Sequence, residues 1–463
     1  MNERQYKQVF FLGLITYFIL LGFSFLFYKE RTVLLDAAYA LFQMLKNNTY
    51  SIEFHRFGDT IPQFLPLMLS RLGYSLNAVM MSYSASFILY YIVCYSITGI
   101  VLKRYDYALV ILLINTLFVT DTFYYTPSQL PQGMCFIVML MAFLSTKKEK
   151  LNSPIILTIS FLCLMLLAFF HPLVLFPLTY TIAFLTLRKE IFTNRKLIYF
   201  FALSFFGVLV FKSIVLRTEY ETHSLGGLKN FIKLFPNYIN LYSNRQFFTN
   251  LCTKFYWVIL LFLTTTVYYF KHKDWYKLIL FAGFCIGYFF LTNISYPSAN
   301  TPKFYLENLY LPFGLYLALP FVFDILPAAT LKKTAMPLIA LILFSCCIRV
   351  YSNHIIYTAR LNWERTTMQQ YTGRKVVIGT KNIPMDTLMM VWGTPYEFWL
   401  LSTSETGTTA SILVDPNPEK QKWLIPYTNS LYVNWNLYKY SYFPKNQYFR
   451  FTDSTNGYTV LPE

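Results

Sequence analysis

The chain has 463 residues, of which 56% are hydrophobic and 13% charged, with 46 Phe and 39 Tyr. Apolar runs close to the roughly 20 residues needed to cross a bilayer recur from end to end, which excludes a soluble globular enzyme. The 39 Lys and Arg outnumber the 22 Asp and Glu to give +17, yet this charge lies in short clusters between apolar runs, a pattern of membrane topology and not of nucleic-acid binding.

The N-terminus, MNERQYKQ, is short and basic, and residues 9–28 read as an uncleaved anchor with no small-residue cleavage site behind it. Further spans are predicted near 78–101, 107–120, 131–145, 154–170, 173–187, 197–216, 255–270, 278–293, 308–326 and 336–352, about eleven in all. Alternate connections carry Arg4 and Lys7, Lys103 and Arg104, Lys147, Lys148 and Lys150, Arg188, Lys189, Arg195 and Lys196, Lys271, Lys273 and Lys277, and Lys332 and Lys333. These basic residues all fall on one side and greatly outnumber the acidic residues there, which makes that side cytoplasmic and the C-terminus external. The seven cysteines are mostly within spans, Cys252 alone falling in an external loop, and they form no disulfide framework or zinc spacing.

The larger polar segments, 29–77, 217–254, 294–307 and the tail from about 353, are therefore all external, and chemistry is expected at the outer face. The short cytoplasmic connections carry no Gly-rich phosphate loop. In the first loop, VLLDAAYALFQMLKN places Asp36, Gln43 and Lys46 or Asn47 as a narrow polar stripe on an apolar helix, as expected of a helix in the membrane interface. HRFGDTIP follows, with His55, Arg56 and Asp59 just before a helix start.

A carboxylate beside apolar sequence is costly unless solvated or paired. Asp36 is thus a candidate general base, or else a solvated carboxylate or a partner of Arg31 or Arg56. His55 and Arg56 suit a phosphate, or a lipid phosphate, or Glu53. Asp59 reads first as a helix cap. Gln129 and Gln132 in TPSQLPQG, His171 in FFHP, and Lys303, Tyr305 and Glu307 in NTPKFYLENLY reach the same side. Lys303 would pair with a phosphate and Glu307 with a sugar hydroxyl or Arg56; structural roles at span ends are the ordinary alternative. The basic residues of 217–254, Arg217, His223, Lys229, Lys233 and Arg245, suit a surface resting on anionic lipid. No HExxH or DxD motif is present, so no cofactor is expected and a divalent metal has no motif to hold it.

In the tail, NHIIYTARLNWERTTMQQY predicts a helix, RKVVIGT and ASILVD strands, and FRFTDSTNGYTVL a hairpin across Asn456-Gly457. The expected fold is mainly α. A polytopic transmembrane bundle fills 1–352, with interfacial helices in the external loop 29–77, and 353–463 forms a small external α+β domain of its own.

The first loop, with its acidic residue soon after span one, and the external polar mass resemble the GT-C superfamily of membrane glycosyltransferases, which includes protein O-mannosyltransferases and lipid A aminoarabinose transferases. HRFGDTIPQFLPLMLSRLG is similar to that family's entry to its next helices, and YLENLYLPFGLYLALPF to a late re-entry that helps form its active cavity. Leu35 and Ala37 flank Asp36 where the family carries an acidic pair. The tail, with WGTPYEFWLLSTSE, resembles that of uncharacterised bacterial multi-spanning proteins. The resemblance implies a catalytic role for Asp36 and transfer of a sugar from a polyprenyl-phosphate-linked donor to a glycan, lipid or protein acceptor. The expected location is the outer face of the bacterial inner membrane. Polymerisation or ligation of lipid-linked glycans is the enzymatic alternative. A transporter or flippase of lipid-linked sugars is the other, although the chain shows no internal repeat and few charges within spans.

Overall fold

The structure, a computed structural model, describes residues 3–191, 195–216, 218, 226–298, 301–328, 334–451 and 456–461. Arg217, His223, Lys332 and Lys333 and part of the expected C-terminal hairpin lie outside the described residues. Helix makes up 72% and strand 5%, so the protein is mainly helical.

The chain opens with α1 (Glu3–Leu26), followed by the one-turn α2 (Tyr28–Thr32), α3 (Leu35–Asn47) and α4 (Thr60–Arg71). Next come α5 (Leu76–Val101), α6 (Tyr105–Ile114), the one-turn α7 (Asp121–Tyr124) and α8 (Gln129–Thr146). The apolar helices α9 (Pro154–Ala168), α10 (Pro172–Leu187) and α11 (Lys196–Val215) follow. A helix pair bent by 92°, α12 (Tyr242–Thr253) and α13 (Tyr256–Lys271), precedes α14 (Trp275–Ser295) and α15 (Lys303–Ile325). Finally α16 (Ala335–Ser352) leads through Asn353 into α17 (His354–Gln370).

Among the described residues seven helices are long and apolar enough to cross a membrane, or eight if the bent pair is one span, against the eleven expected. The difference lies in α6, α9 and α10. At 1.5 Å per residue the ten residues of α6 reach only about 15 Å, half of a hydrocarbon core. From Tyr107 to Ile114 every α6 side chain is buried, as expected of a helix apolar all round that packs inside a bundle.

Three of the basic connections meet at one end. Arg104 pairs with Asp106 and Glu190, each at 2.7 Å, while Arg188 pairs with Asp324. Lys277 lies 3.2 Å from Asp324 and 3.1 Å from Asp274. The acidic residues of these connections therefore neutralise part of the basic excess locally.

The tail contains two expected strands, β1 (Lys375–Gly379) and β2 (Ser411–Asp415), with α18 (Thr394–Thr406) between them. The expected hairpin across Asn456-Gly457 is corrected. The hairpin is instead β3 (Ser430–Val433) with β4 (Asn436–Lys439), turning at Asn434, whose φ is +58°. After Gly457, β5 (Tyr458–Val460) runs parallel to β1, giving the order β2-β1-β5. Its alternating Tyr458 and Val460 suit a strand in either setting, and only the neighbouring surface selects the partner.

The interfacial reading of α3 is also corrected. Its buried residues Ala37, Ala38, Leu41, Phe42, Met44 and Leu45 share a core with α4, α5 and the tail. The Phe42 ring meets Trp399, Tyr396 and Phe449 edge-on at 5.1, 5.1 and 5.7 Å. Trp399 is fully buried, stacks on Phe449 at 5.2 Å and donates Nε1–H to the Tyr448 carbonyl at 3.0 Å. The tail and the first loop thus close one core jointly. Trp399→Ala should cost about 3–5 kcal/mol through the cavity it leaves. The change is measured as a lower melting temperature, with faster proteolysis of both α3 and the tail.

Candidate functional site

Asp36 lies in the first turn of α3. Its Oδ2 accepts hydrogen bonds from the hydroxyls of Tyr125 and Tyr305, the latter at 3.2 Å. Tyr125 follows α7 and Tyr305 belongs to the first turn of α15. Two ties bring these segments together. Glu307 accepts from the backbone N–H of Thr120 at 2.6 Å and of Thr122 at 2.8 Å, and Ser128 donates to Asn308 Oδ1 at 2.6 Å. The tyrosine rings then lie 5.2 Å apart, edge to face.

Burial raises the Asp36 carboxyl above its ordinary range. The two tyrosine hydroxyls and then Arg56 oppose the rise, and Glu397 adds to it. Arg56 donates from Nη1 to Gln129 Oε1 at 3.3 Å, and Gln129 Nε2 donates to Asp59 Oδ1 at 2.5 Å. Asp59 precedes α4, but its side chain makes no capping bond. The expected cap is therefore replaced by a carboxylate turned toward Gln129. Burial lifts Asp59 to about 7; Gln129 and Arg56 act downward, and Asp36 and Glu53 act upward.

The loop that presents Arg56 is bent sharply, with φ of +53° at Phe54 and +56° at His55, a region that side chains with a Cβ disfavour. Gly58 lets it approach the α9–α10 turn, since a Cβ there would come within 2.6 Å of the Phe170 ring. His171 in that turn accepts from the Leu173 N–H at 3.2 Å. Burial, followed by the charges of Arg56 and Lys212, holds His171 well below 6.5, so it is neutral at pH 7. Lys212 of α11 is buried against the Phe169 ring at 5.7 Å.

Asp36, Arg56, Asp59, Gln129 and Tyr305 thus converge, with His55 and His171 beside them. The other expected residues differ. Glu307 is spent on Thr120 and Thr122, not on Arg56, because a buried carboxylate needs donors and these are nearest. Lys303 is exposed, two residues from Tyr305 and so on another side of the helix. Gln132, in the first turn of α8, is fully buried, and among the described residues its amide group has no hydrogen-bonding partner. Arg31 does not pair with Asp36; it donates to Ser84 and the Phe123 carbonyl. Among the described residues no three His, Cys, Asp or Glu side chains form a metal-binding group.

Tyr125, Arg360 and Glu397 carry no local signal in the sequence, and Lys212 stands out there only as a charge near the end of a span. A lone Tyr among 39 carries no signal, although Tyr125 adjoins the TPSQLPQG motif.

Long apolar helices with a polar cluster gathered at one end are the features of a polytopic helical membrane protein. No protein-family model matches the chain, and neither a curated protein nor a solved structure matches it.

Because Asp59 is raised from 3.8 to about 7 in the fold, protonation favours the folded state. Its contribution should be full below about pH 4 and decline as the pH rises toward 7. Asp59→Asn should flatten that part of the stability profile, read as melting temperature against pH in detergent.

Proposed function

We propose that the protein is a membrane glycosyltransferase that uses a polyprenyl-phosphate-linked sugar at the outer face of a bacterial inner membrane. The observation that carries this reading is a carboxylate with a raised pKa, Asp36, that accepts from the Tyr125 and Tyr305 hydroxyls and lies within the electrostatic reach of Arg56 at one end of the helical bundle. Asp36 takes the proton of an acceptor hydroxyl, and the acceptor oxygen attacks the anomeric carbon. The bond from that carbon to the phosphate oxygen breaks, and the lipid phosphate leaves with the electron pair, stabilised by Arg56 with His55. Lys303, at the rim, would meet the donor on entry.

An apolar groove of about 800 Å³ between α10, α11 and α14 supports the same reading. Leu175, Leu178, Ile182, Phe201, Phe205 and Ile279 line it, and it suits a prenyl chain. On α11, Lys212 lies beyond the groove's Phe205 and Phe206, and its charge and that of Arg56 both act on His171.

Asp36→Asn keeps the shape and removes the base, so transfer of labelled sugar in isolated membranes should fall by about 10²–10⁴-fold. Arg56→Ala should chiefly raise the KM for the donor. Full activity of Asp36→Asn overturns the proposal.

Orientation is tested separately. A reporter active only outside the cytoplasm, fused to Glu463, should give signal; signal from a cytoplasmic reporter instead reverses the topology.

A further inference from the structure

The helix that carries Asp36 does not cap itself. Leu34 at its N-terminus has no side-chain capping bond, and Leu35 adopts φ of +40°, a conformation costly for a residue with a Cβ. The missing partner comes from 362 residues away: Glu397 Oε1 accepts the Leu35 N–H at 2.5 Å. Glu397 Oε2 accepts from Arg360 Nη2 at 2.5 Å, and Arg360 Nη1 donates to the Val33 carbonyl at 3.0 Å. Arg360 also lies 2.6 Å from Glu364 and donates from Nε to the Leu388 carbonyl at 3.2 Å. Glu364 and Glu397 are fully buried and Arg360 nearly so. Gly393 completes the grip, since a Cβ there would come within 2.8 Å of the Leu35 Cα.

We propose that Glu397 and Arg360 are positioning residues for Asp36, holding the start of its helix from the external tail so that the carboxylate meets Tyr125 and Tyr305. The assignment of Asp36 as the base rests on the glycosyltransferase reading; the grip itself does not. The chemistry requires a carboxylate at 397. Each of its oxygens serves a different donor, the Leu35 N–H and the Arg360 guanidinium. An amide has one acceptor oxygen and would turn its NH₂ toward one of these donors. An aspartate is one methylene too short to reach both.

Asp36 is faced by the hydroxyls of Tyr125 and Tyr305, by Arg56 and by Glu397, and Asp59 lies within its field. Glu397 is the acidic neighbour that pushes Asp36 upward, and Arg360 and Glu364 stand behind it. Removing its charge lowers the Asp36 protonation midpoint, whereas loosening the helix start takes away the Tyr125 and Tyr305 hydrogen bonds and raises it, so the midpoint reports both the charge and the grip.

The full chain in detergent is treated with dicyclohexylcarbodiimide, which modifies protonated buried carboxyls, across a pH series, and Asp36 modification is read by peptide mass spectrometry. In Glu397→Gln the midpoint should shift away from that of the unmodified protein. Amide exchange over residues 36–38 should quicken by about tenfold as the cap is lost. Gly393→Ala, which leaves every charge in place, should quicken the same amides by pushing Leu35 away, and it carries the test if Glu397→Gln does not fold. An unchanged midpoint together with unchanged exchange in these variants overturns the positioning role. A shifted midpoint alongside full transfer by Asp36→Asn upholds the positioning role and overturns the glycosyltransferase reading instead.

Discussion

Charge withdrawn from water governs how this protein is put together. An ionised group in apolar surroundings is tolerated only when partners surround it, and here those partners come from remote segments. Asp121 accepts from Asn353 at 2.7 Å and lies 3.1 Å from Lys254, while Arg349 donates to the carbonyls of Thr116, Leu117 and Lys254. Arg31 reaches Ser84 and Phe123, and Glu307 reaches Thr120 and Thr122. Each tie joins elements that must dock together, since either half alone would strand a buried charge. In the Asp36 cluster such groups gather beside a sharply bent loop.

This constraint explains why the tail and the first loop behave as one unit. The apolar face of α3 is covered at Phe42 by Trp399, Tyr396 and Phe449. The polar start of the same helix is held by Glu397 and Arg360. Packing and capping from the same tail segment therefore orient α3 together, which leaves Asp36 directed at Tyr125 and Tyr305. The opposite end of the bundle has its own ionic network, Arg104 to Glu190 and Arg188 to Asp324, which ties the ends of α6, α10 and α15.

Much of the candidate site was readable along the chain. Asp36, Arg56 and Asp59 stand out because charge is scarce beside apolar sequence, and Gln129 and Tyr305 because they adjoin span ends. What could not be read was direction. Glu307 and Tyr305 are two residues apart in one helix, so they face different partners: Tyr305 meets Asp36 and Glu307 the Thr120–Thr122 backbone. Lys303 is similarly turned outward. Tyr125, Arg360 and Glu397 had no local signal, because their importance lies wholly in what they touch across the fold.

The sequence by itself determined a mainly helical chain with long apolar helices, short basic connections, an αβ tail and a first loop carrying a carboxylate. These follow from composition and period, which are local properties. Tertiary structure decided which apolar helices are long enough to span and which, like α6, are core. It also decided that β5 joins β1 and that α3 lies under the tail instead of on lipid. Burial, partner choice and the cap on Leu35 depend on residues hundreds of positions apart, and no local pattern records them.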